Sequence, residues 1–176
     1  MRKTVLYIAM SLDGYIADEN GNVDWLKGQD ADVENEDTYS EFVKSIDTVV
    51  MGWKTYYQVA TELSPSEWVY SDLTSYVITH REQASEETIR FLCEAPADLI
   101  KRLKAQSGKD IWICGGADIV QQLMEEDLID TFHISIIPIV LGRGVRLFGS
   151  LQEGLPLRLS GTRSYNGIVE MIYERR

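Results

Sequence analysis

Three short stretches of this chain set glycines, cations and hydroxyls in the order that phosphate binding requires. In the strongest, the apolar run Ile111, Trp112, Ile113 and Cys114 meets Gly115 and Gly116, and Ala117, Asp118, Ile119 and Val120 follow. A strand that yields to two glycines and then a helix leaves free N–H groups at the helix start, at the positive end of its dipole. The missing side chains let a ligand approach the backbone. That arrangement suits a pyrophosphate; a plain strand-to-helix turn has the same signature. The second stretch, Val49, Val50, Met51, Gly52, Trp53, Lys54 and Thr55, repeats the pattern and adds a cation and a hydroxyl. The third, Val77, Ile78, Thr79, His80 and Arg81, is a strand that ends in polar and cationic side chains. Each alone is weak. Sheets built of alternating strands and helices bind ligands at the carboxyl ends of strands, so three such ends together weigh more. The dinucleotide fingerprint Gly-x-Gly-x-x-Gly does not occur.

The elements that must hold these ends follow from periodicity. Strands are expected at 5–11, 48–51, 75–79, 89–93, 111–114, 130–138 and 169–173, which are rich in Val, Ile, Tyr and Phe. Helices are expected at 36–45, 96–106 and 117–125, where apolar residues recur three and four apart. The second opens with Pro96 and Asp98 and carries Lys101, Arg102 and Lys104 late, as a helix dipole favours. The last part of the chain loses the helices and reads as antiparallel hairpins. The fold class is therefore α/β, with a mixed, mainly parallel central sheet flanked by helices, in one domain over 1–176.

Composition narrows the partners. The net charge of −11 argues against nucleic acid and anionic membranes, which need a basic face. It leaves room for a phosphate-bearing small molecule, which needs only a local nest of N–H groups and a cation or two. No apolar run approaches the ~20 residues of a membrane span, and the opening residues read as a first strand instead of an export signal. Two cysteines, Cys93 and Cys114, make no disulfide framework, and a cytoplasmic setting is expected. No His, Cys and Asp cluster has metal-ligand spacing, so no metal is expected. The apolar stretch 134–141 makes a homodimer the expected assembly.

Residues 8–17, with Asp13 and Gly14 among them, resemble the first strand and loop of the bacterial dihydrofolate-reductase-like proteins. These are relatives of the reductase domain of bifunctional riboflavin-biosynthesis enzymes. The resemblance continues through Asp24, Trp25 and Leu26, through 45–52 with Lys54 and Thr55, and through Gly115 and Gly116. It extends over 134–144 and closes on Ser164, Tyr165, Asn166 and Gly167. It implies a dihydrofolate-reductase-like fold of about eight strands, and NADPH lying across the strand ends. Ala9 and Ile16 would face the nicotinamide. Gly52, Lys54, Thr55, Gly115 and Gly116 would hold the pyrophosphate, and Thr79 and His80 the adenosine ribose, with Arg81, Ala117 and Asp118 alongside. Two positions depart from the family pattern. Trp53 stands where Arg is usual, and Ala117 where a third Gly is frequent. The lost Arg is the natural partner of a 2′-phosphate, so NADH is admitted beside NADPH.

The implied activity is hydride transfer to a pterin-, folate- or pyrimidine-like heterocycle. The rival is a dinucleotide-binding or dimer-forming protein without significant turnover. A carboxylate in the pocket would orient such a ring or supply its proton. The candidates are Asp24, beside Trp25, and Glu36 or Asp37, reached by counting back from Gly52 as in true dihydrofolate reductases. The last two also fit a solvated acidic face. Trp25 and Tyr56 can stack on a substrate or pack within the chain. Asp13 reads more readily as a turn residue than an acid, and His133 as structural.

Overall fold

A computed structural model describes all 176 residues. Its frame is one eight-stranded sheet. Six of the strands run parallel, in the spatial order β5 (Ile89–Leu92), β4 (Thr74–Ile78), β3 (Ile46–Gly52), β6 (Asp110–Gly115), β1 (Thr4–Ser11) and β7 (Thr131–Ile137). Two antiparallel strands, β10 (Ile168–Arg175) and β9 (Leu157–Tyr165), complete the β7 side. Val49, Val50, Ile111 and Ile113 are fully buried, as strands covered on both faces must be.

Helices cover both faces. On one, α3 (Pro96–Lys104) and α4 (Ala117–Glu125) bury Leu99, Ile100, Leu103, Val120 and Leu123 against Leu6, Val50, Ile111 and Ile113. The starts of both helices and the end of α4 fall where periodicity places them. On the other face, α1 (Thr38–Val43) and α2 (Trp53–Gln58), which runs on into a π-helical turn at Val59–Leu63, cover Trp112, Tyr7 and Met51 with aromatic side chains. Helix α1 is shorter than its apolar spacing predicts. The Asp37 side chain accepts from Ser40 N at 3.0 Å and caps the helix, so Glu36 lies outside it. The stretch 134–141 is divided between a covered and an open part. Ile134 and Ile137 are buried in β7 between β1 and β10, while Val140 beyond the strand is exposed. No helix is long and apolar enough to cross a membrane.

Three elements are too short or too polar to read from sequence. β2 (Tyr15–Ala17) pairs with β8 (Val145–Arg146), and β9 is an edge strand in which Arg158, Ser160, Thr162 and Ser164 stand exposed. The β9–β10 connection is a hairpin over Asn166 and Gly167, with φ of 44° and 75°, the paired positive values of a tight two-residue turn.

Asp13 ties the end of β1 to the loop after β7. Its carboxylate accepts from Ser11 Oγ at 2.6 Å, Leu141 N at 3.0 Å and Gly142 N at 2.7 Å. The Ser11 hydroxyl, joined by the Gly142 and Leu141 N–H groups, outweighs desolvation and holds the carboxyl down to about 2. A depressed carboxyl contributes stability above its unfolded value of 3.8 and loses it as the pH falls toward about 2. Asp13→Asn should therefore lower the urea midpoint at neutral pH, and its gap from the parent protein should close across that acid window.

Candidate functional site

The parallel register aligns the three stretches at one edge of the sheet. Met51 pairs with Gly115 across β3 and β6, and Gly52 with Ile78 across β3 and β4. Gly52 and Gly116 are thus the N-caps of α2 and α4 at neighbouring strand ends. Between them stands the Thr55 hydroxyl. A Cβ added to Gly115 would lie 3.8 Å from Thr55 Oγ1, and one added to Gly116 would lie 3.6 Å from it. Both are ordinary contacts, so packing within the chain does not require glycine at 116. Gly115 is different, because its φ of +128° belongs to glycine whatever space surrounds it. The missing side chain at Gly116 leaves the backbone at the start of α4 open, and the geometry of this edge would fit a pyrophosphate.

Beside this edge lies a cleft of about 540 Å³, lined in part by Asn20, Asn22, Trp53, Lys54, Gln58 and Arg81. Gln58 donates to Gly21 O at 2.9 Å and so ties α2 to the loop after β2. The Arg81 guanidinium lies over the Trp53 ring, 5.1 Å from its centre, and the Arg81 N–H donates to Thr79 Oγ1 at 3.1 Å. A cation thus accompanies Trp53 at the cleft. His80 is exposed, with Nδ1 3.2 Å from Cys93 Sγ. Ala117 opens α4, and Asp118 is exposed in its first turn. Ala9 lies half-buried in β1, and Ile16 in β2 packs against the core.

The predicted acids are not brought together. Asp24 is exposed on the loop after β2. Trp25 beside it donates its indole N–H to Asn22 O at 3.1 Å. Asp37 is the exposed cap of α1, and Glu36 faces Arg163 at 3.6 Å. Tyr56 belongs to an aromatic cluster, its ring 5.5, 5.3 and 5.1 Å from those of Trp53, Trp68 and Phe91. Cys114, just before the glycine pair, lies against Tyr70, and burial pushes its thiol up to about 11. No three His, Cys, Asp or Glu side chains gather as a metal set.

One polar cluster escaped sequence reasoning. Glu170, in β10, is 3 % exposed. Its Oε1 accepts from Thr38 Oγ1 at 2.7 Å, Tyr165 OH at 2.8 Å and Ser135 Oγ at 3.4 Å, and its Oε2 faces His133 Nε2 at 3.2 Å. Desolvation raises this carboxyl, but the bonds from Thr38, Tyr165 and His133 together hold it below the ordinary range. The available signal was a lone carboxylate inside the apolar run Ile168, Val169, Met171 and Ile172.

The site is thus built on a mainly parallel α/β sheet with two glycine-headed helix starts at adjoining strand ends. Residues 2–170 match the RibD C-terminal domain family, and the chain belongs to it. YwjB of Bacillus subtilis strain 168, an uncharacterised protein, is 43% identical over 175 residues, covering 99% of this chain and 98% of its own. A solved structure from Shewanella sp. PV-4, provisionally assigned to riboflavin biosynthesis, superposes with a TM-score of 0.86 at 29% identity over 99% of both chains. The diaminohydroxyphosphoribosylaminopyrimidine deaminase/5-amino-6-(5-phosphoribosylamino)uracil reductase of Thermotoga maritima gives a TM-score of 0.70 at 14% identity. That match covers 99% of this chain and 57% of the bifunctional protein, and it shows the fold alone. The fold is dihydrofolate-reductase-like, and the family is reductase-like.

The two glycines should separate by experiment. Gly115→Ala should lower stability by about 1–2 kcal/mol, the cost of a left-handed backbone for a residue with a Cβ. Gly116→Val should leave the domain folded at a cost of about 1 kcal/mol, because Val is a poor N-cap for α4, while weakening NADPH binding at least about tenfold, as read by calorimetry.

Proposed function

We propose that the protein is a reductase that takes hydride from NADPH or NADH and passes it to a pterin-, folate- or pyrimidine-like heterocycle. The observation that carries this reading is the adjacency of Gly52, Thr55, Gly115 and Gly116 at facing strand ends. Membership of a reductase-like family supports it. A bound reduced nicotinamide supplies the hydride, and the substrate's C=N or C=O bond takes that hydride on carbon and a proton on the heteroatom. The chain's part is to bind and orient. The N–H groups at the start of α4, the Thr55 hydroxyl and the Lys54 ammonium would hold the pyrophosphate. Thr79, His80, Arg81 and Trp53 would receive the adenosine end in the cleft, and Ala9 and Ile16 would border the nicotinamide. The surface of small residues at the glycine edge brings the backbone itself to the ligand.

The test is calorimetric titration with each reduced cofactor, followed by turnover of dihydrofolate and of 5-amino-6-(5-phosphoribosylamino)uracil, read as loss of reduced-nicotinamide absorbance. Micromolar binding of at least one cofactor and oxidation dependent on one heterocycle are expected. No binding of either cofactor at millimolar concentration would end the reductase reading.

Selectivity between the cofactors follows from Trp53. An indole offers one donor and no charge to a 2′-phosphate. Arg81, held over that ring at 5.1 Å, and exposed Lys54 supply charge without the rigid fork at position 53. NADPH and NADH should therefore bind within about tenfold of each other. A hydrogen bond to a charged group contributes roughly 1.5–3 kcal/mol, so Trp53→Arg should shift the ratio toward NADPH by at least about tenfold. The shift should shrink in high salt. A parent preference for NADPH above a hundredfold would contradict the argument.

A further inference from the structure

The carboxylate buried on β10 lies in register with the place where hydride transfer would occur. Ala9 pairs with Ser135 across β1 and β7, and Ser135 pairs with Glu170 across β7 and β10. Tyr7 and His133 form the next pair on the same face. Side chains alternate along a strand, and Leu6, Ile8 and Met10 pack on the opposite face with α3 and α4. Ala9, Ser135, His133 and Glu170 therefore share the face that α1 covers only in part. Glu170 is buried, whereas Ala9, Ser135, His133 and Tyr165 are only half-buried.

A carboxylate in this position is a costly way to hold strands together. Replacing a buried ionic group by apolar residues of similar size is often neutral or stabilising. Yet four donors converge on Glu170 from two other strands and a helix. Such a set fixes the directions of its members. It holds the Thr38, Ser135 and Tyr165 hydroxyls and the His133 ring in one arrangement, with His133 braced edge-on by Tyr7 at 4.6 Å between ring centres.

We propose that the Glu170–His133 pair is the proton source of the substrate pocket: Glu170 positions the imidazole, and His133, beside Ser135, meets the N–H and C=O edge of the heterocycle. This rests on the reductase reading above. As hydride reaches the substrate's carbon, an N–H bond of the His133 imidazolium breaks and an N–H or O–H bond forms on the substrate heteroatom. Solvent then returns a proton to the neutral ring. His133 is the catalytic residue and Glu170 the positioning residue, a task the exposed Asp24, Glu36 and Asp37 are poorly placed to share. The titratable and charged groups around the pair are Tyr7 on β1, Asp37 at the start of α1, and Tyr165 and Arg163 on β9.

The chain has two histidines, and they sit at opposite ends of the proposed site. Imidazole NMR of the parent protein can therefore follow both ends at once. NADP⁺ alone should perturb His80, at the adenosine end. Adding dihydrofolate or 5-amino-6-(5-phosphoribosylamino)uracil to that complex should change the proton affinity of His133 by more than about threefold, and Glu170→Gln should abolish the response. In turnover, Glu170→Gln should lower kcat by about 100-fold and alter the pH profile, with the Kd for NADPH within about threefold of the parent's. If NADP⁺ moves His80 and neither heterocycle moves His133, the inference is overturned while the cofactor reading stands. If NADP⁺ moves neither histidine, both fall. The parent titration decides between these outcomes even if Glu170→Gln does not fold.

Discussion

The parallel pairing of β3 with β6 is the contact on which the rest of the molecule depends. It sets Met51 opposite Gly115, so that α2 and α4 begin one strand spacing apart, with Thr55 between their first turns. A slip of one residue would turn each apolar side chain to the other face. Val49, Val50, Met51, Ile111 and Ile113 are fully buried between the helices on the two faces. The register shifts between Val50 and Met51, passing over Cys114, and it is this irregularity that sets Gly115 opposite Met51 at the glycine edge. β4 on one side and β1 on the other then bring Thr79 and Ala9 to the same edge.

Charge is segregated around that frame. The chain carries −11 overall, yet the proposed cofactor is an anion. Much of the acidic run 30–41 stands away from the glycine edge. Its side chains and backbone are tied to the hairpin end of β9 and β10, where Asn166 bonds to Asp30, Val33 and Asn35, and Arg163 to Glu41. Lys54 and Arg81 face the cleft beside Trp53, with Glu62 among its other lining residues. Exposed charges beyond about one Debye length are screened, so local cations and helix starts decide anion binding more than the total does.

How much of this was legible in the sequence depended on how local each signal was. The glycine stretches could be read because the turn, the strand before it and the helix after it are contiguous. α4 was equally clear, with Ile119, Val120, Leu123 and Met124 on one buried face. The edge strand β9 could not be read as a separate element, since an exposed strand need not alternate apolar with polar residues as a half-buried one does. The helix at 36–45 was overextended because apolar spacing says nothing about where Asp37 caps. Glu170 was hidden for a different reason. Its partners, Thr38, His133, Ser135 and Tyr165, come from distant parts of the chain, and only the order β1, β7, β10, β9 assembles them. Local patterns thus exposed the proposed cofactor side, and the long-range topology exposed the proposed substrate side.

The central claim is that the glycine-headed edge holds a nicotinamide dinucleotide by its backbone. Amide hydrogen exchange with and without saturating NADPH measures this at the N–H groups themselves. The account predicts slowed exchange in peptides covering 52–55 and 115–120, at the starts of α2 and α4, with little change in the acidic segment 30–37. Unchanged exchange at both helix starts in a protein that binds NADPH, or protection confined to another surface, would contradict it.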